Sequence, residues 1–224
     1  MGYYIDLEKI SLEKYKDILK SADLLPGRMI LKDNIDNNFE LLKQQDVLNI
    51  AGLIERLKNK KKLQDFSIQS GLDENYLTVL IRELKSYRQT PNKLKDFPNI
   101  TETVILKLEK IGIKNTLQLY EKVTTSESRN ELCKQTGIDK EIVLTLTRLT
   151  DLSRIRWVNH TFAYVLLEAN YDTTEKVAKA DYKELYETVK QLNSEKNLYK
   201  GQIGLHDMKL CVESAKDIPL DIEY

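Results

Sequence analysis

The side chains of this 224-residue chain that could do covalent or metal chemistry are few and scattered. Cys133, His160, His206 and Cys211 carry the donor atoms of a Cys2His2 zinc set. Only His206 and Cys211 lie near each other, however, and no Cys-x2-Cys or His-x3-His pair is present to pre-arrange ligands in a short loop. No metal or cofactor is expected. Two cysteines make no disulfide framework, and Cys133 suits a small buried thiol. The order of serines, histidines and acids fits no nucleophile triad, and neither a phosphate-binding P-loop nor a dinucleotide fingerprint occurs. The residues give an enzymatic role no support.

Binding chemistry is better represented. Two tight turns, 97–101 and 155–160, could turn the backbone N–H groups of Asn99, Ile100 and Thr101, and of Asn159 and His160, toward a phosphate. Arg154 and Arg156 would add charge beside the second turn. Lys60, Lys61 and Lys62, in the run 58–62, form the densest basic cluster. No aromatic residue interleaves it, which speaks against a single-strand stacking platform, and a solvated connector between helices accounts for it. Gly201-Gln202-Ile203-Gly204 has the spacing of the GxxG loop of K-homology domains, yet no strands accompany it, and a turn before the last helix is expected instead. Trp157, the one tryptophan, sits at a turn tip, where a ring packed under the turn is the commoner outcome. If exposed, it could instead form with Phe162 and Tyr164 an apolar patch for a protein partner.

The totals narrow these options. Thirty-five basic residues balance thirty-five acidic ones, so no global field draws polyanions. The charge is uneven: positions 55–95 hold ten Lys/Arg against five Asp/Glu, and 168–224 hold eight against twelve. Eight glycines and four prolines are too few for many short strands, so the balance favours helices. No apolar run approaches the ~20 residues of a membrane helix, and no basic-then-apolar leader opens the chain. A cytoplasmic protein with no membrane partner is expected.

Apolar spacing locates the helices. Leu12, Tyr15, Ile18 and Leu19 share a face behind Ser11. A second helix spans about 37–44 behind a cap at Asp36, and a third starts near Asn49. Asp73 caps a long helix bearing Tyr76, Leu77, Leu80, Ile81 and Leu84. Pro91 breaks the pattern, and 88–92 is the best candidate boundary. Thr101 then caps a helix with Val104, Ile105, Leu108 and Ile111, closed by a left-handed Gly112. The last helix turns Met208, Cys211, Val212 and Ala215 inward.

These elements repeat. Residues 66–73, FSIQSGLD, match 132–139, LCKQTGID, at an offset of 66 that also aligns Leu42 with Leu108 and Asn49 with Asn115. An offset of 58 sets Phe97 on Ile155, Leu108 on Leu166 and Thr116 on Thr174. About two and a half copies of one helical unit result: 31–96, 97–154, and a third from 155 to 224 that diverges after about 180. Residues 1–30 would form an N-terminal capping helix. Units of this kind cover each other's apolar faces, so we expect an all-α array of stacked repeats, compact or slightly elongated.

On these marks, including the Gln-Thr-Gly-Ile turn at 135–138 and the run Asp151-Leu152-Ser153-Arg154-Ile155, residues 60–200 resemble the tandem helix-hairpin-helix family described as domain of unknown function 4332. That resemblance implies an all-α fold and kinship with nucleic-acid-binding hairpins, but no established activity. Such hairpins carry hydrophobic-Pro-Gly-hydrophobic-Gly and a later lysine, the glycines admitting a phosphate to the backbone. Here the glycine positions hold Asn99 and Thr101, then Trp157 and Asn159. The lysine positions hold Thr103 and Thr161. Asparagine tolerates left-handed backbone, so the turns are expected to survive at Asn99 and Asn159, while Thr101 and Trp157 would crowd a phosphate. Two functions stay open: sequence-independent nucleic-acid binding through the hairpins and basic residues, or a protein-interaction module that has lost the phosphate contacts.

Overall fold

The computed structural model describes residues 2–88 and 90–224. Among them the only extended pairings are two isolated bridges, Ser11 with Asn49 and Lys93 with Asn115; all other regular structure is helical. The protein is all-α. It divides into two compact units, one of residues 5–88 and one of residues 2–4 with 90–224.

In the first unit, Ser11 caps α1 (Leu12–Ser21) by accepting the Lys14 N–H, and a 3-10 segment, Pro26–Lys32, follows. Then come α2 (Ile35–Lys43), α3 (Ile50–Arg56), α4 (Lys60–Ser70) and α5 (Glu74–Lys85). The second helix starts at Ile35 behind a left-handed Asn34, not behind Asp36. Asp36 lies in its first turn, and its carboxylate takes a hydrogen bond from Lys20. Leu31, Phe39, Leu42, Ile50, Leu53, Leu77 and Leu80 are fully buried among these helices. A buried ion pair between Arg28 and Glu83, 2.5 Å, ties the 3-10 segment to α5.

The second unit holds α6 (Glu102–Lys110), α7 (Thr116–Tyr120), α8 (Ser126–Thr136), α9 (Lys140–Leu152), α10 (His160–Glu168), α11 (Thr174–Lys179), α12 (Tyr182–Lys196) and α13 (Leu205–Lys216). The spacings read from the sequence reappear in the backbone. α4 and α8 coincide at both ends at an offset of 66, and α6 and α10 coincide at both ends at 58. Caps recur as well. Asn49 and Asn115 accept N–H bonds from Gly52 and Gln118, and Asp73 starts α5 as Asp139 starts α9. Left-handed residues close the same turns: Gly71 and Gly137, Asp46 and Gly112, Gly112 and Asn170. Packing follows the same order, since α5 lies on α3 and α4, α9 on α7 and α8, and α13 on α11 and α12. Although residue similarity fades after about 180, this packing order runs through α12 and α13.

Each side-chain cap satisfies an N–H that the first helical turn leaves without a partner. Asn115→Ala should therefore lower the stability of the full chain to urea by about 1 kcal/mol, with Asn115→Asp nearly neutral. A second expectation concerns alkali. Burial pushes the Cys211 thiol from 9.0 up to about 12, so the folded state holds a proton that the unfolded state releases. Stability should fall as pH rises through 9 toward 12, and Cys211→Ala should blunt the onset of that fall in a pH series of urea melts.

Candidate functional site

The two hairpins are built alike. Phe97 and Ile155 are buried, the next-but-one residue is left-handed (Asn99, φ 62°; Trp157, φ 66°), and Thr101 or Asn159 occupies the cap of the following helix. The left-handed residue of the second hairpin is therefore Trp157, not Asn159. Asn159 has extended backbone and accepts the Phe162 N–H at 2.9 Å. Thr101 stands at the cap of α6 without a side-chain capping bond. Tryptophan gains nothing from left-handed geometry, in contrast to glycine or asparagine, and such a residue costs about 1–3 kcal/mol.

The tips face different surroundings. The Asn99 amide donates to the hydroxyl of Tyr164 on α10, which occupies the first tip. Trp157 is 40% exposed, with the Arg156 guanidinium 4.2 Å over its ring and Arg156 itself buried. His160 is half-buried, its ring edge-on to Phe97. Phe162 and Tyr164 are buried too, Phe162 edge-on to Tyr199 at 5.5 Å. The apolar patch expected around Trp157 thus reduces to Trp157 alone. Both rings turn inward because α10 is apolar nearly all round and is covered by α9 and α12.

Arg154 departs furthest from expectation. Its side chain is wholly buried. The guanidinium pairs with Asp151 at 3.1 Å and Asp221 at 2.9 Å, donates to the carbonyls of Pro219, Tyr3 and Gly2, and lies 4.8 Å over the Tyr120 ring. Asp151 is shared further: its second oxygen accepts the Thr174 N–H at 2.8 Å and the Tyr224 hydroxyl at 3.0 Å. Tyr120 donates to Asp221, and burial with that carboxylate raises its pKa. Tyr3 and Thr116 share a hydrogen bond of 2.6 Å, and burial raises the Tyr3 pKa. No phosphate can reach Arg154; it is the centre of an internal knot that gathers 2–3, α9, α11 and 219–224. A cavity of about 210 Å³ opens beside it, lined by Asp151, Glu175, Leu220, Ile222 and Tyr224.

The basic run lies elsewhere. Lys60, Lys61 and Lys62 are exposed in the first turn of α4, in the unit of residues 5–88, and are not a connector between helices. The Gly201–Gly204 loop leads into α13, with Gly204 at its cap. Cys133 is half-buried and Cys211 buried, and among the described residues no three His, Cys, Asp or Glu side chains converge on a metal-sized space. No helix among those residues is long and apolar enough to cross a membrane.

Sequence reasoning did not find Asp151, Asp221, Tyr120 or Tyr224 as a set. The i, i+3 spacing of Asp151 and Arg154 was the one local signal for a pair. Residues 98–218 match the family described as Domain of unknown function (DUF4332), more than half of the chain, and the chain belongs to that family. No curated protein and no solved structure matches the chain.

Removing Arg154 would leave two carboxylates buried without their counter-charge. Arg154→Met should cost roughly 3–5 kcal/mol of stability, and Arg154→Lys should recover only part of it, because one ammonium cannot serve two carboxylates and three carbonyls. Urea denaturation checks both.

Proposed function

We propose that this protein is a non-catalytic binding module, built on repeats related to helix-hairpin-helix elements, that recognises a protein partner through the 155–160 hairpin. The observation that carries the reading is Trp157, a large ring held at a turn tip in left-handed backbone, substantially exposed and backed by a buried arginine. An exposed, rigid tryptophan braced from behind is the type of anchor on which protein contacts concentrate. Electrostatics supports the same side. Residues 98–218 carry eighteen Lys/Arg and eighteen Asp/Glu, and both arginines beside the hairpin are buried.

A second reading, weak sequence-independent nucleic-acid binding, is favoured by one observation. Both left-handed turns, at Asn99 and Trp157, open directly into the N-terminus of a helix, as an anion-binding nest would. Lys60, Lys61 and Lys62 would assist only as a diffuse, solvated charge.

The single tryptophan reports on both readings. Its emission should be quenched readily by acrylamide in the free protein and protected when a partner docks. Trp157→Asn should change stability by less than about 1 kcal/mol, since relief of backbone strain offsets the lost cation–π contact. It should abolish photo-crosslinking of partner proteins to neighbouring positions. If mixed DNA or RNA at low salt shifts Trp157 emission with a steep salt dependence, the nucleic-acid reading replaces the protein one.

A further inference from the structure

The unit of residues 5–88 contains a concavity of about 360 Å³ between α2 and the α4–α5 turn, outside the part of the chain that matches the family. That volume is at the lower end of small-ligand sites. Its rim is rich in acceptors: the carboxylates of Asp33 and Asp73, and the amides of Asn34, Asn37 and Asn38. Tyr76 lines it as well. Only 4% of Tyr76 is exposed, and its hydroxyl meets the Asn38 amide only loosely, short of full hydrogen-bond geometry. Asp73 spends one oxygen on the Tyr76 N–H at 2.9 Å, and Asp33 forms no ion pair among the described residues. A nearly buried hydroxyl left incompletely satisfied is costly unless something fills the space beside it.

The internal repeat indicates what that something is. At the offset of 66, Gly71 corresponds to Gly137 and Leu41 to Lys107. In the second copy the Lys107 ammonium donates to the Gly137 carbonyl at 2.7 Å, at the left-handed close of α8. A cation there meets the negative end of the helix. In the first copy the same left-handed close, Gly71 at the end of α4, borders the concavity, and the residue that could reach it is Leu41. No basic residue lies in the last turn of α4, whereas α8 has Lys134 there. The first copy thus keeps the carbonyl and the capping carboxylate (Asp73, as Asp139), adds the carboxylate of Asp33 where the second copy has Asn99, and lacks the ammonium.

From this arrangement we infer that the concavity binds a primary alkylammonium group from outside the chain, seated on the Gly71 carbonyl between Asp33 and Asp73 with its alkyl stem against Leu41 and Leu72. A free diamine and a lysine side chain of another protein present the same chemistry. The site is independent of the Trp157 hairpin and of the reading built on it.

Calorimetric or NMR titration of the full chain with 1,5-diaminopentane and with Nα-acetyl-lysine methylamide tests this. Saturable binding of at least one amine is expected, weakened about tenfold or more in the Asp33→Asn/Asp73→Asn double variant, in which the asparagine at 73 still caps α5. Leu41→Lys should abolish binding by placing the chain's own ammonium on Gly71, with a gain in stability that the double variant does not show. Binding of the diamine alone assigns the site to a free polyamine; binding of the lysine derivative assigns it to a protein side chain. Failure of both amines to bind, or binding unchanged in both variants, overturns the inference.

Discussion

One buried guanidinium holds the larger unit together. Arg154 sits where α9 ends and answers two carboxylates, three backbone carbonyls and an aromatic face at once. Neither Asp151 nor Asp221 could be buried ionised without it, and desolvation would otherwise outweigh any packing gain at this point. Because Asp151 also accepts the first N–H of α11, the knot fixes α11 against the end of α9. Residues 2–3 and 219–224, far apart in sequence, are brought to one place by the same charge.

Around that knot the repeat is conserved in backbone and varied in side chain. Left-handed turns, cap positions and the packing of each fourth helix on its second and third return at the same spacing, while the residues and partners at those points change: Asn99 becomes Trp157, Gly112 becomes Asn170, and the hydroxyl that meets Tyr3 at Thr116 meets the Asp151 carbonyl at Thr174. Helix packing needs only apolar residues on the right face and a chain reversal of the right handedness. The turn residue itself is therefore open to other uses. The bulky residue at 157 and the leucine at 41 are two places where the copies diverge in chemistry while the fold stays the same.

The helix ends that the sequence placed fell within a residue or two for the most part, because capping side chains and apolar periodicity are local: Ser11, Asn49, Asp73 and Asn115 act within three residues of themselves. The repeat was legible for the same reason. The site was not. Arg154 looked like a free cation beside a hairpin, and nothing within several residues of it foretold Asp221, Pro219 or Tyr3 as partners. Phe162 and Tyr164 looked like companions of Trp157, but their direction depends on α9 and α12 covering α10.

What the sequence alone determined was an all-helical chain whose helix spacings recur, since propensity, capping and periodicity act between near neighbours. Which charges are sequestered, which ring is exposed, and which acceptors converge without a donor were decided only by the tertiary structure. Those outcomes depend on burial and on contacts between residues as far apart as Tyr3 and Arg154, and such contacts have no period or spacing in the chain that could announce them.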